Sequence, residues 1–155
     1  MNTALINTIK NSFIAKFQIE PVMVFSPGRI NIIGEHTDYN DGFVFPAAVN
    51  KGIVIAIGKS DSSISTAFAF DKQETIAFSL KNIKPLAQGS WQNYILGVVA
   101  EIQNRSKTVG NFNILFGGNI PSGAGMSSSA ALENSVVFGL NEIFNLGLSK
   151  HDMIL

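Results

Sequence analysis

Two stretches of the sequence concentrate side chains able to do chemistry. The first, "GGNIPSGAGMSSSAALEN" over 117–134, places Gly123 and Gly125 between Pro121 and three hydroxyls, Ser127, Ser128 and Ser129. Glycines at these positions leave room for a backbone to approach a ligand closely. The serines fall where a helix begins, and the unpaired amides and partial positive charge of a helix N-terminus suit a polyphosphate. Their hydroxyls would serve phosphate oxygens or a magnesium ion, which takes hard oxygen ligands. The lysine that follows the last glycine in the phosphate loop GxxxxGK[ST] is absent, yet an anion can be held without it. A serine cap after glycines is also everyday helix punctuation, although one serine suffices for a cap. On the loop's own residues the two readings stand level.

The second stretch, "SPGRINIIGEHTDYN" over 26–40, brings Arg29, Glu35, His36 and Asp38 close together beside an apolar run. With a period of two, Arg29 and Asn31 share one face of a strand with Ile33, while Ile30 and Ile32 take the other. An arginine among apolar strand residues is costly unless it meets a carboxylate or a phosphate. Glu35 and Asp38 are acceptors that suit sugar hydroxyls. Taken alone, Arg29 reads better as one half of an ion pair with Glu35 or Asp38, and His36 as a locally capped turn residue. Zinc is a poor fit, because the other histidine of the chain, His151, lies at its far end.

The elements that must position these stretches can be read from hydrophobic period. Leu5, Ile6, Ile9, Phe13 and Phe17 predict a helix over 3–17. "VMVFS" (22–26) and "RINII" (29–33) read as strands separated at Pro27-Gly28, with a polar loop over 34–42. "VNKGIVIAIGK" (49–59) is the clearest strand, and "SISTAFAF" and "ETIAFSL" after it suggest an antiparallel meander. A helix is expected over 91–105 with Ile95, Val98, Val99 and Ile102 inward, then a strand over 112–117 and a helix over 127–145. Ser149 and Asp152 have the spacing of a capping box that opens a further helix. This order of elements suggests an α+β fold or a mixed α/β layer rather than a doubly wound sheet.

Composition narrows the function classes. The chain has 155 residues, enough for one domain. Its 11 basic and 11 acidic residues cancel, so no basic field draws nucleic acid or anionic lipid. No apolar run approaches the roughly 18 residues of a membrane helix, and the N-terminus does not read as a signal peptide. A soluble, cytoplasmic protein is therefore expected. Cysteine is absent, which excludes disulfides and thiolate metal sites. Charged residues make up only 14% of the chain, against about 25% in an average domain. So little charge implies apolar surface covered by an oligomer partner or by further chain.

"GRINIIGEHTDYN" resembles the signature of galactokinases, and "PSGAGMSSSAA" resembles the ATP-binding motif of the wider GHMP kinase superfamily. Met126 stands where leucine is usual, a volume-conserving difference. "WQNYILGV" (91–98) is similar to the galactokinase helix that follows the strand meander, and the similarity runs through essentially the whole chain. The resemblance implies one GHMP kinase N-terminal domain over 1–155, of the ribosomal protein S5 domain 2-like kind: a mixed sheet with helices packed on it. It implies that Glu35, His36, Thr37 and Asp38 contact galactose and that Arg29 stabilises the transition state of phosphoryl transfer. Gly123, Ala124, Gly125, Met126, Ser127, Ser128 and Ser129 would bind ATP, with Ser129 also at magnesium.

The implied reaction moves the γ-phosphoryl group of MgATP to the anomeric hydroxyl of galactose. Galactokinases carry their catalytic aspartate and a magnesium-binding glutamate beyond the serine motif, followed by a second domain. The chain therefore reads as the N-terminal portion of such an enzyme, expected to be inactive alone and to self-associate through surface left uncovered. Three other readings remain: an N-acetylgalactosamine kinase, a non-catalytic galactokinase-like sugar sensor, or an interaction module.

Overall fold

A computed structural model of the chain describes residues 2–34, 40–121 and 123–153. The apolar stripe near the N-terminus forms the helix α1 (Thr3–Phe17). Asn2 caps it by accepting from the Leu5 amide at 3.2 Å, and Gln18 ends it in the left-handed region. Ile9 and Phe13, one turn apart, are fully buried on its inner face.

Next come the strands β1 (Val22–Ile33), β2 (Phe45–Lys59), β3 (Ser65–Ala69) and β4 (Glu74–Phe78). The helix α2 (Trp91–Asn104), the strand β5 (Phe112–Gly118) and the helix α3 (Ser128–Phe144) complete the order. The sheet runs β1-β2-β5-β3-β4 and is mixed, as the resemblance implies: β3 lies parallel to β5 and the other pairs are antiparallel.

Two expectations need correction. The meander fails because β5 inserts between β2 and β3, so that β3 and β4 pair as a hairpin but β2 does not pair with β3. Residues 52–58 of β2 are buried without interruption, and a strand covered on both faces belongs in the interior of a sheet with a neighbour on each side. The two strands expected around Pro27-Gly28 are one strand, irregular between Pro27 and Arg29. The extra residues lie on the partner, where 49–51 of β2 stand opposite Gly28, and the ladder continues on both sides.

Along β2 the side chains alternate between two cores. Ile53, Ile55 and Ile57 face α2 and α3, together with Ile114 and Phe116 of β5. Val54 and Ala56 face α1 with Leu115. In α2, Ile95, Val99 and Ile102 are buried and Val98 is half-buried against the same core. Trp91 and Leu96 are buried too. Ser149 and Asp152 form the reciprocal box, with the Asp152 amide donating to Ser149 Oγ at 3.2 Å and the Ser149 amide to Asp152 Oδ2 at 2.9 Å. The Ser149 hydroxyl, which donates to Asp152 Oδ2 at 2.6 Å, and then the Ser149 amide hold the Asp152 carboxyl below the usual carboxylate range. Among the described residues no helix is long and apolar enough to cross a membrane.

The axis of α3 approaches β2 closely because Gly139 faces it: a Cβ there would lie 2.9 Å from Ile57 Cγ2 and 3.1 Å from Ile55 Cδ1. Gly139→Leu is therefore expected to destabilise the fold by about 1–3 kcal/mol through overpacking, read as a lower urea midpoint. An unchanged midpoint would mean that α3 is free to move off the sheet.

Candidate active site

The register irregularity at Gly28 of β1 is where the two motifs meet. Gly28 is buried, and a Cβ on it would lie 2.8 Å from the carbonyl oxygen of Met126 and 3.1 Å from Ile120 Cδ1. The next amide, that of Arg29, donates to the same Met126 carbonyl at 3.1 Å. A side chain at position 28 would hold the loop away, so the glycine permits the approach and the hydrogen bond fixes it. Arg29 itself is half-buried, with Nη1 donating to Asn31 Oδ1 at 2.8 Å. That contact bears out the shared strand face read from the sequence. Glu35, His36, Thr37 and Asp38 lie outside the described residues.

The loop after β5 is anchored at its entry. Asn119 accepts from the Gly52 amide through Oδ1 at 2.9 Å and returns its own amide to the Gly52 carbonyl at 3.1 Å. Beyond Pro121, Gly123 and Gly125 take φ of +72° and +65°, with open space where a Cβ would be. They are glycines for backbone reasons, since this left-handed region is unfavourable to other residues. Ser127 occupies the N-cap position of α3, also left-handed at φ +50°, but its side chain makes no capping bond. Ordinary capping therefore does not account for the hydroxyl at this position. Ser128 is exposed and Ser129 half-buried at the opening of the helix. The structure thus places Arg29 beside Met126, at the loop that leads to these serines.

A cavity of about 170 Å³ opens next to the serines, lined by Ser128, Ser129 and Leu132 of α3, Trp91 and Tyr94 of α2, Asp71, Lys72 and three core side chains. Trp91 is fixed there from two sides. Its indole N–H donates to Glu74 Oε2 at 2.7 Å, and its ring meets Phe116 edge-on at 5.2 Å. The wall was not read as part of the site from the sequence. Trp91 and Tyr94 stand three apart in "WQNY" and so share a helix face, which was a usable signal. Asp71 and Lys72 carried none, because their position depends on the parallel pairing of β3 with β5.

A larger cavity, about 320 Å³, lies between α2, α3 and residues 148–153. Its Arg105 is paired with Glu101 and Asp152, and burial pushes the Glu133 carboxyl up. Its cation is thus already neutralised by neighbouring carboxylates, whereas the loop presents unpaired helix amides. Among the described residues no group of three or more His, Cys, Asp or Glu is arranged to hold a metal. Oxygen ligands for a hard cation would come from the serine hydroxyls and from a phosphate ligand.

Comparison with known proteins gives this geometry a family. A model described as the galactokinase galactose-binding signature matches residues 11–59, and one for the GHMP kinases N terminal domain matches 93–155. A galactokinase of Clostridium perfringens is 42% identical over 97% of the chain and 40% of its own length. One of Glaesserella parasuis is 44% identical over 85% of the chain and 35% of its own length. The chain thus spans about two fifths of the length of the relatives it matches. The crystal structure of Lactococcus lactis galactokinase complexed with galactose superimposes with a TM-score of 0.87 at 32% identity, covering 95% of this chain and 39% of that one. The mevalonate kinase of Methanococcus jannaschii, at 17% identity and a TM-score of 0.76, shares the fold. With both family models matched and these relatives aligned along nearly its whole length, the chain belongs to the galactokinase family of the GHMP kinases.

Proposed function

We propose that the protein carrying this chain is a galactokinase, transferring the γ-phosphoryl group of ATP to the anomeric hydroxyl of galactose to give galactose 1-phosphate. The observation that carries this reading is the Arg29 amide bonded to the Met126 carbonyl. It joins the segment that matches a sugar-binding signature to the loop that matches a kinase motif. A phosphoryl-transfer site needs its acceptor and donor side by side, because positioning and electrostatics supply most of the catalysis.

In this reading the loop from Gly123 through Ala124, Gly125 and Met126 to Ser127, Ser128 and Ser129 cradles the ATP phosphates. The open amides at the start of α3 supply the partial positive charge that a lysine supplies in other phosphate loops. Ser129 is the hydroxyl ligand for magnesium, a hard cation whose other ligands would be phosphate oxygens and water. When bound, that ion would neutralise phosphate charge. Arg29 stands beside the loop, where a permanent cation stabilises charge developing on the transferred group. Glu35, His36, Thr37 and Asp38 are the sugar contacts in this proposal. Carboxylates dedicated to ring hydroxyls would reject sugars that lack them, since the acceptors would be left unpaired. The cytoplasm, where ATP is plentiful, is the proposed location.

Two substitutions in the full-length protein test the roles. Arg29→Ala is expected to lower kcat by about 10²–10³-fold, the scale for loss of a group that stabilises transition-state charge, while galactose affinity changes little. Equal losses in both would return Arg29 to a structural ion pair. Gly125→Val forces a β-branched residue to φ +65°, a strain of roughly 1–2 kcal/mol. Calorimetric titration is expected to show weaker ATP binding with galactose binding unchanged. The reverse pattern would remove the loop from the nucleotide site.

A further inference from the structure

The phosphate loop of this chain has no lysine, but a lysine reaches the same place from another element. Lys72 lies in the turn between β3 and β4 and lines the cavity that Ser128 and Ser129 also line. The turn is tied down on several sides. The Phe70 amide donates to the Phe116 carbonyl at 2.8 Å, and Asp71 Oδ2 accepts from the Gly118 amide at 2.8 Å. Gln73, left-handed at φ +55°, folds its side-chain amide back onto the Phe70 carbonyl at 2.6 Å. The backbone that carries Lys72 is therefore fixed against the end of β5, the strand that runs into the glycine loop.

Some of the chain's other cations are engaged elsewhere. Lys10 pairs with Glu20, Arg105 with Glu101 and Asp152, while Lys16 and Lys59 lie over the rings of Phe68 and Phe144. Lys72 makes no ion pair among the described residues. The neighbouring Asp71 carboxylate is already held by the Gly118 amide. Across the cavity stands the start of α3, the positive end of a helix dipole. A flexible ammonium and a helix N-terminus facing one cavity repel weakly when it is empty, and both gain when an anion lies between them.

We propose that Lys72 is a phosphate-contacting residue of the nucleotide site, closing over a nucleoside polyphosphate from the side opposite the α3 serines. The inference rests on the reading of the glycine loop as an ATP site and adds to it a cation from outside the loop. Trp91 and Tyr94 give the same cavity an aromatic wall, so its far side accommodates an apolar heterocycle while Lys72 meets the charge.

Calorimetric titration of the protein with ATP, ADP and adenosine tests this, using the parent sequence, Lys72→Ala and Lys72→Arg. A charge-assisted contact of this kind predicts that Lys72→Ala weakens ATP binding about tenfold. Adenosine affinity should be unchanged, with Lys72→Arg recovering most of the ATP loss. A merely structural role for Lys72 would lower adenosine and ATP affinity together, and that outcome overturns the proposal. Unaltered ATP affinity in Lys72→Ala overturns it as well, while leaving the loop's role as a nucleotide site intact. If the parent protein binds neither ATP nor ADP, the reading of the loop fails and the proposal falls with it.

Discussion

A backbone hydrogen bond from the Arg29 amide to the Met126 carbonyl joins the two motifs that carry the chemistry. It exists because position 28 carries no side chain: a Cβ there would press to 2.8 Å on that same carbonyl. The loop is held at its other end by the paired bonds between Asn119 and Gly52. Between these anchors the backbone can follow the left-handed turns at Gly123 and Gly125 and arrive at α3 with its first amides open. Neither motif makes a two-substrate site by itself. Their contact is what makes the phosphoryl-transfer reading a statement about geometry as well as sequence.

The sheet serves that contact. Because 52–58 of β2 is buried on both faces, β2 takes an interior place with β1 on one side and β5 on the other. β1 ends in the sugar-signature segment and β5 ends in the glycine loop, so the strand order brings the two segments to one end of the sheet. Gly139 lets α3 settle close on β2, which fixes the height of the helix N-terminus above that end. The positive charge at the loop comes from helix amides and the nearby Arg29, which explains physically how a lysine-free loop could hold a polyphosphate.

Much of this was legible in the sequence, for identifiable reasons. The α1 stripe and the Ile/Val run of β2 signal their structure through period and composition. The loop and the segment after Gly28 are recognisable because their chemistry depends on residue types in fixed order. Topology was less legible. Whether β5 would enter between β2 and β3 depends on which strand is buried on both faces, a property of the assembled sheet that local pattern does not encode. For the same reason Asp71 and Lys72 drew no notice, since their turn acquires a neighbour only after β3 pairs in parallel with β5. The Pro27-Gly28 pair was misread as a break because its local signal is that of a turn. In the structure the glycine serves a close approach that only the distant loop explains.

The most direct measurement of the central claim is nucleotide affinity in the full-length Gly28→Ala variant, determined calorimetrically beside its thermal stability. Gly28 belongs to the segment matched by the sugar signature, so on local grounds a single added methyl should leave ATP binding untouched. The close packing against Met126 predicts the opposite: the methyl pushes the loop outward, and ATP affinity falls clearly while the protein remains folded. ATP affinity equal to that of the parent would contradict the account, because the two motifs would then not be held together by the contact at Gly28 and Met126.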